Sequence, residues 1–496
     1  MAIAEDLQIS PFLTGDPKKL FIGGRWEEAA SGRTFPTLDP ATGERLAEIA
    51  DGDAEDVDRA VKAARKSFER GVWRDLPATE RSRMLWKVAD LIEQRATEFA
   101  ELESLDNGKP INEAMLVDIP SAINTFRYYA GWPTKLGGQT LPITLPGNYL
   151  AYTLREPVGV VGLIIPWNLP LLMAAWKVSP ALACGNSVIL KPAEQTPLSA
   201  LLLAEVLLEA EIPAGVVNIV TGDAKAGAAL VAHPEVDKIA FTGSTEVGKK
   251  IVASATGNLK RVSLELGGKS PNIVFSDADL SRAASGAFFG IFFNQGQVCS
   301  AGSRLMVQEN VYDQMLEQLS STAEGITLGP GIDPMTTMGP LVSEEQLQRV
   351  MGYIDAGKKD GAEVLTGGER PGGELSHGYF VKPTIFAQVD NRMRIAQEEI
   401  FGPVLAAIPF RDEADLVAKA NGTIYGLAAG VWTSDVARAH RVAHALRAGT
   451  VWVNCYNVLD VTMPWGGYKE SGWGRELGPH ALDIYTETKG VVVSLD

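Results

Sequence analysis

The sequence predicts an α/β protein built as two open α/β domains with a separate β-flap. Three observations carry this. From about residue 157, apolar strand-like runs alternate with helical segments at the pitch of βαβ units, which makes a mostly parallel sheet covered on both faces. A second alternation of the same kind follows Pro271. Two β-prone segments, 137–152 and 484–494, fit neither alternation. Exposed edge strands are hazardous unless paired, so these two read as a flap shared between subunits.

In chain order, 54–132 is helical. Apolar positions recur at three-to-four spacing over 56–70 and 79–105, and Asn107-Gly108-Lys109-Pro110 is a stop signal. The first alternation then places strands at 158–165, 187–190, 216–220, 238–241 and 261–264, with helices at 171–182, 198–209, 224–232 and 246–253. The second runs through the strands 272–275, 404–408, 427–432 and 450–454. Its helices are 280–292, 312–323 and 436–446, with the segments 344–357 and 413–420 completing it. The boundary between the two falls near Gly267-Gly268.

Composition narrows the function classes. A chain of 496 residues implies two or three domains, and 46% hydrophobic with 21% charged residues is an ordinary globular balance. A formal charge of −16 argues against nucleic acid and anionic membranes, both of which reward lysine and arginine. Three cysteines, Cys184, Cys299 and Cys455, cannot make a disulfide framework, which fits a reducing compartment. The first ten residues lack a basic region followed by an apolar core, and the apolar runs at 158–165 and 198–208 are too short to span a bilayer. The expectation is a cytoplasmic protein.

Chemistry concentrates in a few strings. Cys299 sits in FNQGQVCSAGSR (293–304), flanked by small and amide residues that leave its sulfur approachable, unlike a cysteine buried among aliphatics. Gly243-Ser244-Thr-Glu-Val-Gly248 follows a strand and opens a helix, an arrangement that binds anions, with a plain βα turn as the alternative. Lys250 stands where a P-loop needs Ser or Thr, and no GxGxxG occurs. Lys191 and Glu194 follow another strand. The glutamate there can accept from two ribose hydroxyls and repels a 2′-phosphate, favouring NAD over NADP; an exposed ion pair is the bland alternative.

Glu265, followed by two glycines, is a candidate base for a hydrolytic water, or simply a glutamate at a turn. Asn168, between the prolines of Pro166-Trp167-Asn168-Leu169-Pro170, offers an NH₂ for an oxyanion. His440 and His444 share a helix face but lack the glutamate of a zincin, so no metal site is expected.

These strings in this order, together with PWNLPLLMAAWK, LELGGKSP, EEIFGPV and PWGGYKESGWGREL, resemble the NAD(P)-dependent aldehyde dehydrogenase superfamily from Phe21 to Lys489. The resemblance implies a cofactor domain (1–135 and 156–267), a catalytic domain (268–470) and an oligomerisation flap (136–155 and 483–496) in a homo-oligomer, a tetramer rather than a dimer. By it, Cys299 attacks the aldehyde to form a thiohemiacetal, Asn168 and the Cys299 N–H hold the oxyanion, and Glu265 activates the water that hydrolyses the thioester. Lys177 and Glu476 match a proton path to Glu265.

The cofactor's surroundings are implied to be Ile164, Ile165, Pro166, Trp167, Lys191, Glu194, Gly243, Ser244, Leu266, Glu399 and Phe401. The cofactor is NAD, with NADP the poorer alternative. The aldehyde tunnel maps onto Leu169, Leu172, Met173, Trp176, Phe293, Val298, Ser300, Leu459, Asp460 and Trp465, an apolar and aromatic lining suited to a hydrophobic or aromatic aldehyde. A betaine aldehyde enzyme is the alternative, through a partial aromatic box of Trp176, Phe293 and Trp465, although Leu169 stands where such enzymes resemble one another in having Tyr. A CoA-acylating relative and a silent crystallin-like scaffold are the rivals, and Glu265 with Cys299 counts against both.

Overall fold

A computed structural model describes residues 10–496. The first nine, part of the segment in which no leader is expected, lie outside the described residues. Among the described residues, the larger sheet has eight strands. Its parallel centre runs Arg261–Glu265, Lys238–Thr242, Val160–Ile164, Ser187–Lys191 and Val217–Ile219 in spatial order. Antiparallel strands extend both ends: Gly472–Trp473 on one, Leu20–Ile22 and Arg25–Glu27 on the other.

These central strands are buried at nearly every position, as continuous apolar runs in a covered parallel sheet require. The helix Pro170–Ala183 packs there with all of its residues buried; Pro170 at its first position fixes φ where the N–H has no intrahelical partner. In space, the chain moves outward one way from Val160–Ile164 through Ser187–Lys191, then returns to place Lys238–Thr242 on the other side. That reversal opens a crevice at the carboxyl ends of Val160–Ile164 and Lys238–Thr242.

The second sheet has seven strands in the order Glu363–Thr366, Thr384–Ala387, Val404–Phe410, Arg304–Gln308, Pro271–Val274, Ala428–Trp432 and Thr450–Val453. Only the first pair is antiparallel. Its central strand, Arg304–Gln308, is absent from the sequence reading, as are Glu363–Thr366, Thr384–Ala387 and the N-terminal strands. Arg304 disguises the central one. A fully buried arginine is unexpected in a core strand, yet its guanidinium is satisfied by the carbonyls of Lys269, Lys419 and Ala420 and by Asn391 Oδ1.

Three-to-four spacing suggested one helix over 79–105, but two form, Ala78–Gln94 and Ala96–Asn107. Arg95 leaves helical geometry between them while its side chain bridges Glu98 and Glu205. The flap is a three-stranded antiparallel sheet in which Tyr149–Pro157 pairs along its length with Thr486–Ser494 and at one end with Thr140–Leu141. It leaves Leu150, Leu154, Val492 and Val493 exposed. No helix among the described residues is long and apolar enough to cross a membrane.

Candidate active site

The crevice opens into a cavity of about 300 Å³ lined by Pro166, Trp167, Asn168, Leu169, Met173, Thr242, Gly243, Ser244, Leu266, Gly267, Cys299, Glu345, Gln346, Arg349, Glu399 and Phe401. Ser244 caps the helix Thr245–Ser254 by accepting from the Val247 N–H, so the unpaired N–H groups of that helix face the crevice. Lys191 and Glu194 lie one strand over, outside this cavity; Ile165 N donates to the Lys191 carbonyl. Lys191 Nζ stands 3.3 Å from the half-exposed Glu194 carboxylate. Burial holds the Lys191 pKa below the usual lysine value, against the pull of Glu194. Ile164 pairs with Lys191 in the sheet, and Ile165 is buried, so both support the crevice wall from behind.

Cys299 stands on a loop bolted from several sides. Asn294 and Gln295 adopt left-handed backbone (φ 46° and 56°), which reverses the chain after the helix Leu280–Phe292. The turn is held by Glu113 Oε2, which accepts from Asn294 N at 2.9 Å. Beyond the cysteine, Ser300 Oγ donates to Asn457 Oδ1 and Tyr456 OH to the Ser300 carbonyl. Cys299 is partly exposed, whereas Cys184 is buried. Burial pushes the Cys299 thiol up to about 12, and the carboxylates of Glu399 and Glu265 add to it while the Ser300 and Cys299 N–H groups oppose. The thiol therefore rests protonated at neutral pH.

Asn168 is buried beside it in the cavity wall. Its Nδ2 donates to the Gln297 carbonyl at 2.8 Å, leaving one amide hydrogen free, and its own carbonyl accepts from Asn294 Nδ2 and Lys109 Nζ. Glu265 ends the strand Arg261–Glu265 and is buried with Oε2 unpartnered. Its pKa is well above the carboxylate range, first through burial and next through Glu476; Lys177 and Arg475 oppose this. Lys177 and Glu476 form a buried ion pair, and backbone bonds between Trp465 and Glu476 fix the latter.

Glu399 folds onto the chain next to the cysteine: Oε1 accepts from Gly268 N at 3.0 Å. Burial raises its pKa to about 7. The adjoining Phe401 sits at φ 61° with its ring 5.1 Å from Trp167, edge to face, across the cavity mouth. Those two rings and the Glu399 carboxylate line the same cavity.

A second cavity, of about 350 Å³, has Leu169, Leu172, Trp176, Phe293, Val298, Ser300, Leu459 and Asp460 in its wall. Of the expected tunnel residues, Met173 lies on the first cavity instead, and Trp465 stands behind the wall with its ring 6.3 Å from Trp176. Sequence reasoning missed Val117, Asp118, Ser121, Asn124, Thr125, Phe289, Asn457, Val461 and Leu477. Five of these come from the π-helical segment Ala114–Asp118 and the helix Ile119–Ala130, whose helical reading was available but whose cavity-lining face was not. Asp460 is an exposed rim residue that accepts from the N–H and hydroxyl of Thr462 on its own loop.

Comparison with known proteins decides the family. The model of the aldehyde dehydrogenase family matches residues 26–491. The chain belongs to the aldehyde dehydrogenase family. It is 56% identical over 490 residues to the Bacillus subtilis (strain 168) protein DhaS, covering 99% of this chain and 98% of that one. It is 52% identical over 480 residues to the mitochondrial aldehyde dehydrogenase of Homo sapiens, covering 96% and 92%. The structure of a Bacillus cereus aldehyde dehydrogenase in complex with NAD⁺ superposes with a TM-score of 0.96 at 51% identity, covering 99% of both chains.

In this aldehyde dehydrogenase, no group of three or more His, Cys, Asp or Glu side chains among the described residues is placed to hold a metal. His440 and His444 meet edge to face on the helix Val436–Ala445, with ring centroids 6.4 Å apart.

Proposed function

We propose that the chain oxidises hydrophobic or aromatic aldehydes to carboxylic acids with NAD, using Cys299 as nucleophile. The observation that carries this is the position of Cys299 between the two cavities. It lines the first with Asn168, Glu399 and Phe401, while its neighbours Val298 and Ser300 line the second, which is walled largely by aromatic and aliphatic side chains. The crevice suits NAD: Ser244 at a helix N-terminus takes the pyrophosphate, Lys191 and Glu194 the adenosine ribose, and Glu399 with Phe401 the nicotinamide ribose. The Glu194 carboxylate repels a 2′-phosphate. NAD, when bound, supplies the acceptor for the hydride that leaves the substrate carbon.

The residues divide the remaining work. The Cys299 thiol passes its proton to solvent water and its sulfur attacks the aldehyde carbon, making the C–S bond of a thiohemiacetal as the carbonyl π bond becomes the oxyanion. The free hydrogen of the Asn168 amide and the Cys299 N–H hold the resulting oxyanion. Once the adduct is a thioester, Glu265 takes a proton from water as the water oxygen attacks. The C–S bond then breaks, releasing the acid and the thiolate. The Lys177–Glu476 pair carries that proton away.

The lobe around the larger sheet would hold the cofactor, the second sheet would present the cysteine, and the exposed apolar residues of the flap would pack against other copies of the chain as a homotetramer.

The test is NADH formation across acetaldehyde, hexanal, benzaldehyde, phenylacetaldehyde and betaine aldehyde, repeated with NADP and with CoA. Highest efficiency with benzaldehyde or phenylacetaldehyde, NAD and no CoA supports the reading. Cys299→Ala should abolish turnover while leaving NAD binding intact, and wild-type turnover in that variant removes Cys299 as nucleophile.

A further inference from the structure

The string Asn107-Gly108-Lys109-Pro110, read from the sequence as a helix stop, also reaches into the active site. Gly108 ends the helix Ala96–Asn107 in left-handed backbone (φ 89°), where a side chain would in addition meet Pro340 Cγ at 2.8 Å. The turn sends Lys109 inward to a fully buried position. Its Nζ donates to the backbone carbonyl of Asn168 at 3.0 Å and to Asp118 Oδ2, with Glu103 Oε2 3.6 Å away. Asn107 extends the same clamp one residue upstream, donating to the Trp167 carbonyl at 2.9 Å. Burial alone would lower the Lys109 pKa, but Asp118 and Glu103 outweigh it and hold the ammonium charged. A buried ion pair is weak evidence for stability, since an apolar residue packs such a place as well. What a lysine adds is a short, directed, charge-assisted bond to one carbonyl.

We infer that Lys109 is a positioning residue for Asn168, fixing through the Asn168 carbonyl the peptide whose side-chain amide holds the oxyanion. The inference rests on the reading of Asn168 as that donor. With one amide hydrogen committed to the Gln297 carbonyl, the direction of the other is set once the backbone is pinned at this end. An oxyanion donor displaced by about 1 Å loses much of its effect.

A double-mutant cycle on acylation tests this, read as the rate of the NADH burst with hexanal at saturating NAD. The NAD dissociation constant and melting midpoint of each variant serve as controls. Asn168→Ala and Lys109→Met should each slow the burst about 10²-fold, and the double variant should be within about threefold of Asn168→Ala alone. A double variant slowed by the product of the two single factors overturns the inference and leaves Asn168 as donor. An Asn168→Ala burst at the wild-type rate overturns the reading beneath it. If Lys109→Met does not fold, Lys109→Met with Glu103→Gln removes the ammonium together with the one of its two counter-charges that does not line the second cavity. A burst about 10²-fold slower in that variant supports the inference; a wild-type burst overturns it.

Discussion

Gly268 and Cys299 touch through their backbones: a Cβ on Gly268 would stand 2.5 Å from the Cys299 carbonyl oxygen. The strings LELGG and QVCSAG, which hold the proposed base and nucleophile, thus meet main chain to main chain at this point. Glu265, three residues before that contact, inherits a fixed place relative to the sulfur.

Glu265→Gln separates the two halves of the reaction. Acylation does not need the carboxylate, so a burst of about one NADH per active site should persist while steady-state turnover falls by about 10²-fold or more. Stopped-flow absorbance checks both. Unchanged turnover would remove Glu265 as the base.

Turnover should rise with pH. In the proposed mechanism Cys299 and Glu265 both lose protons, and both have raised pKa values, Cys299 to about 12 and Glu265 well above its usual range, so the reactive fraction grows as protons are withdrawn. Lys177 opposes the Glu265 shift. Lys177→Met therefore moves the rising limb of deacylation to higher pH, which a pH–rate profile for single-turnover thioester hydrolysis would measure. A limb displaced to lower pH contradicts the proton path.

Glu194→Gln should weaken discrimination against NADP. Losing a carboxylate at the proposed ribose site removes a like-charge repulsion, and the ratio of kcat/KM for NADP to that for NAD should climb about tenfold. A ratio that stays put places the adenosine end elsewhere.

Stability carries its own pH signature. Burial raises Glu113 from 4.5 to about 8. The folded chain therefore holds a proton that the unfolded chain releases between those values. The stabilisation is complete below the unfolded pKa and is lost as pH rises through the folded one, by up to about 1.4 kcal/mol per pH unit. Glu113→Gln should flatten this dependence, so its melting midpoint relative to wild type improves from pH 6 to pH 9. A difference that does not change with pH refutes the assignment.

The chain shows its βαβ alternation and its reactive strings plainly, because period, turn residues and motif spacing are local properties. The second cavity's wall is less visible. Asp118, Ser121 and Asn124 look like ordinary polar helix positions, and only the packing of the helix Ile119–Ala130 against Pro170–Ala183 turns that face toward Trp176. Arg304 misleads for the opposite reason. Its charge argues for the surface, and the three carbonyls that satisfy it come from segments 35 to 116 residues away. Lys109 passes as helix punctuation, since its partner carbonyl lies 59 residues on.

Among the described residues, the cavities on either side of Cys299 share a single lining residue, Leu169. Traffic through one need not wait for the other. A plug fitted to the aromatic side would leave dinucleotide exchange running, and a dead-end analogue seated there should compete with aldehyde while changing only the apparent maximal rate against NAD.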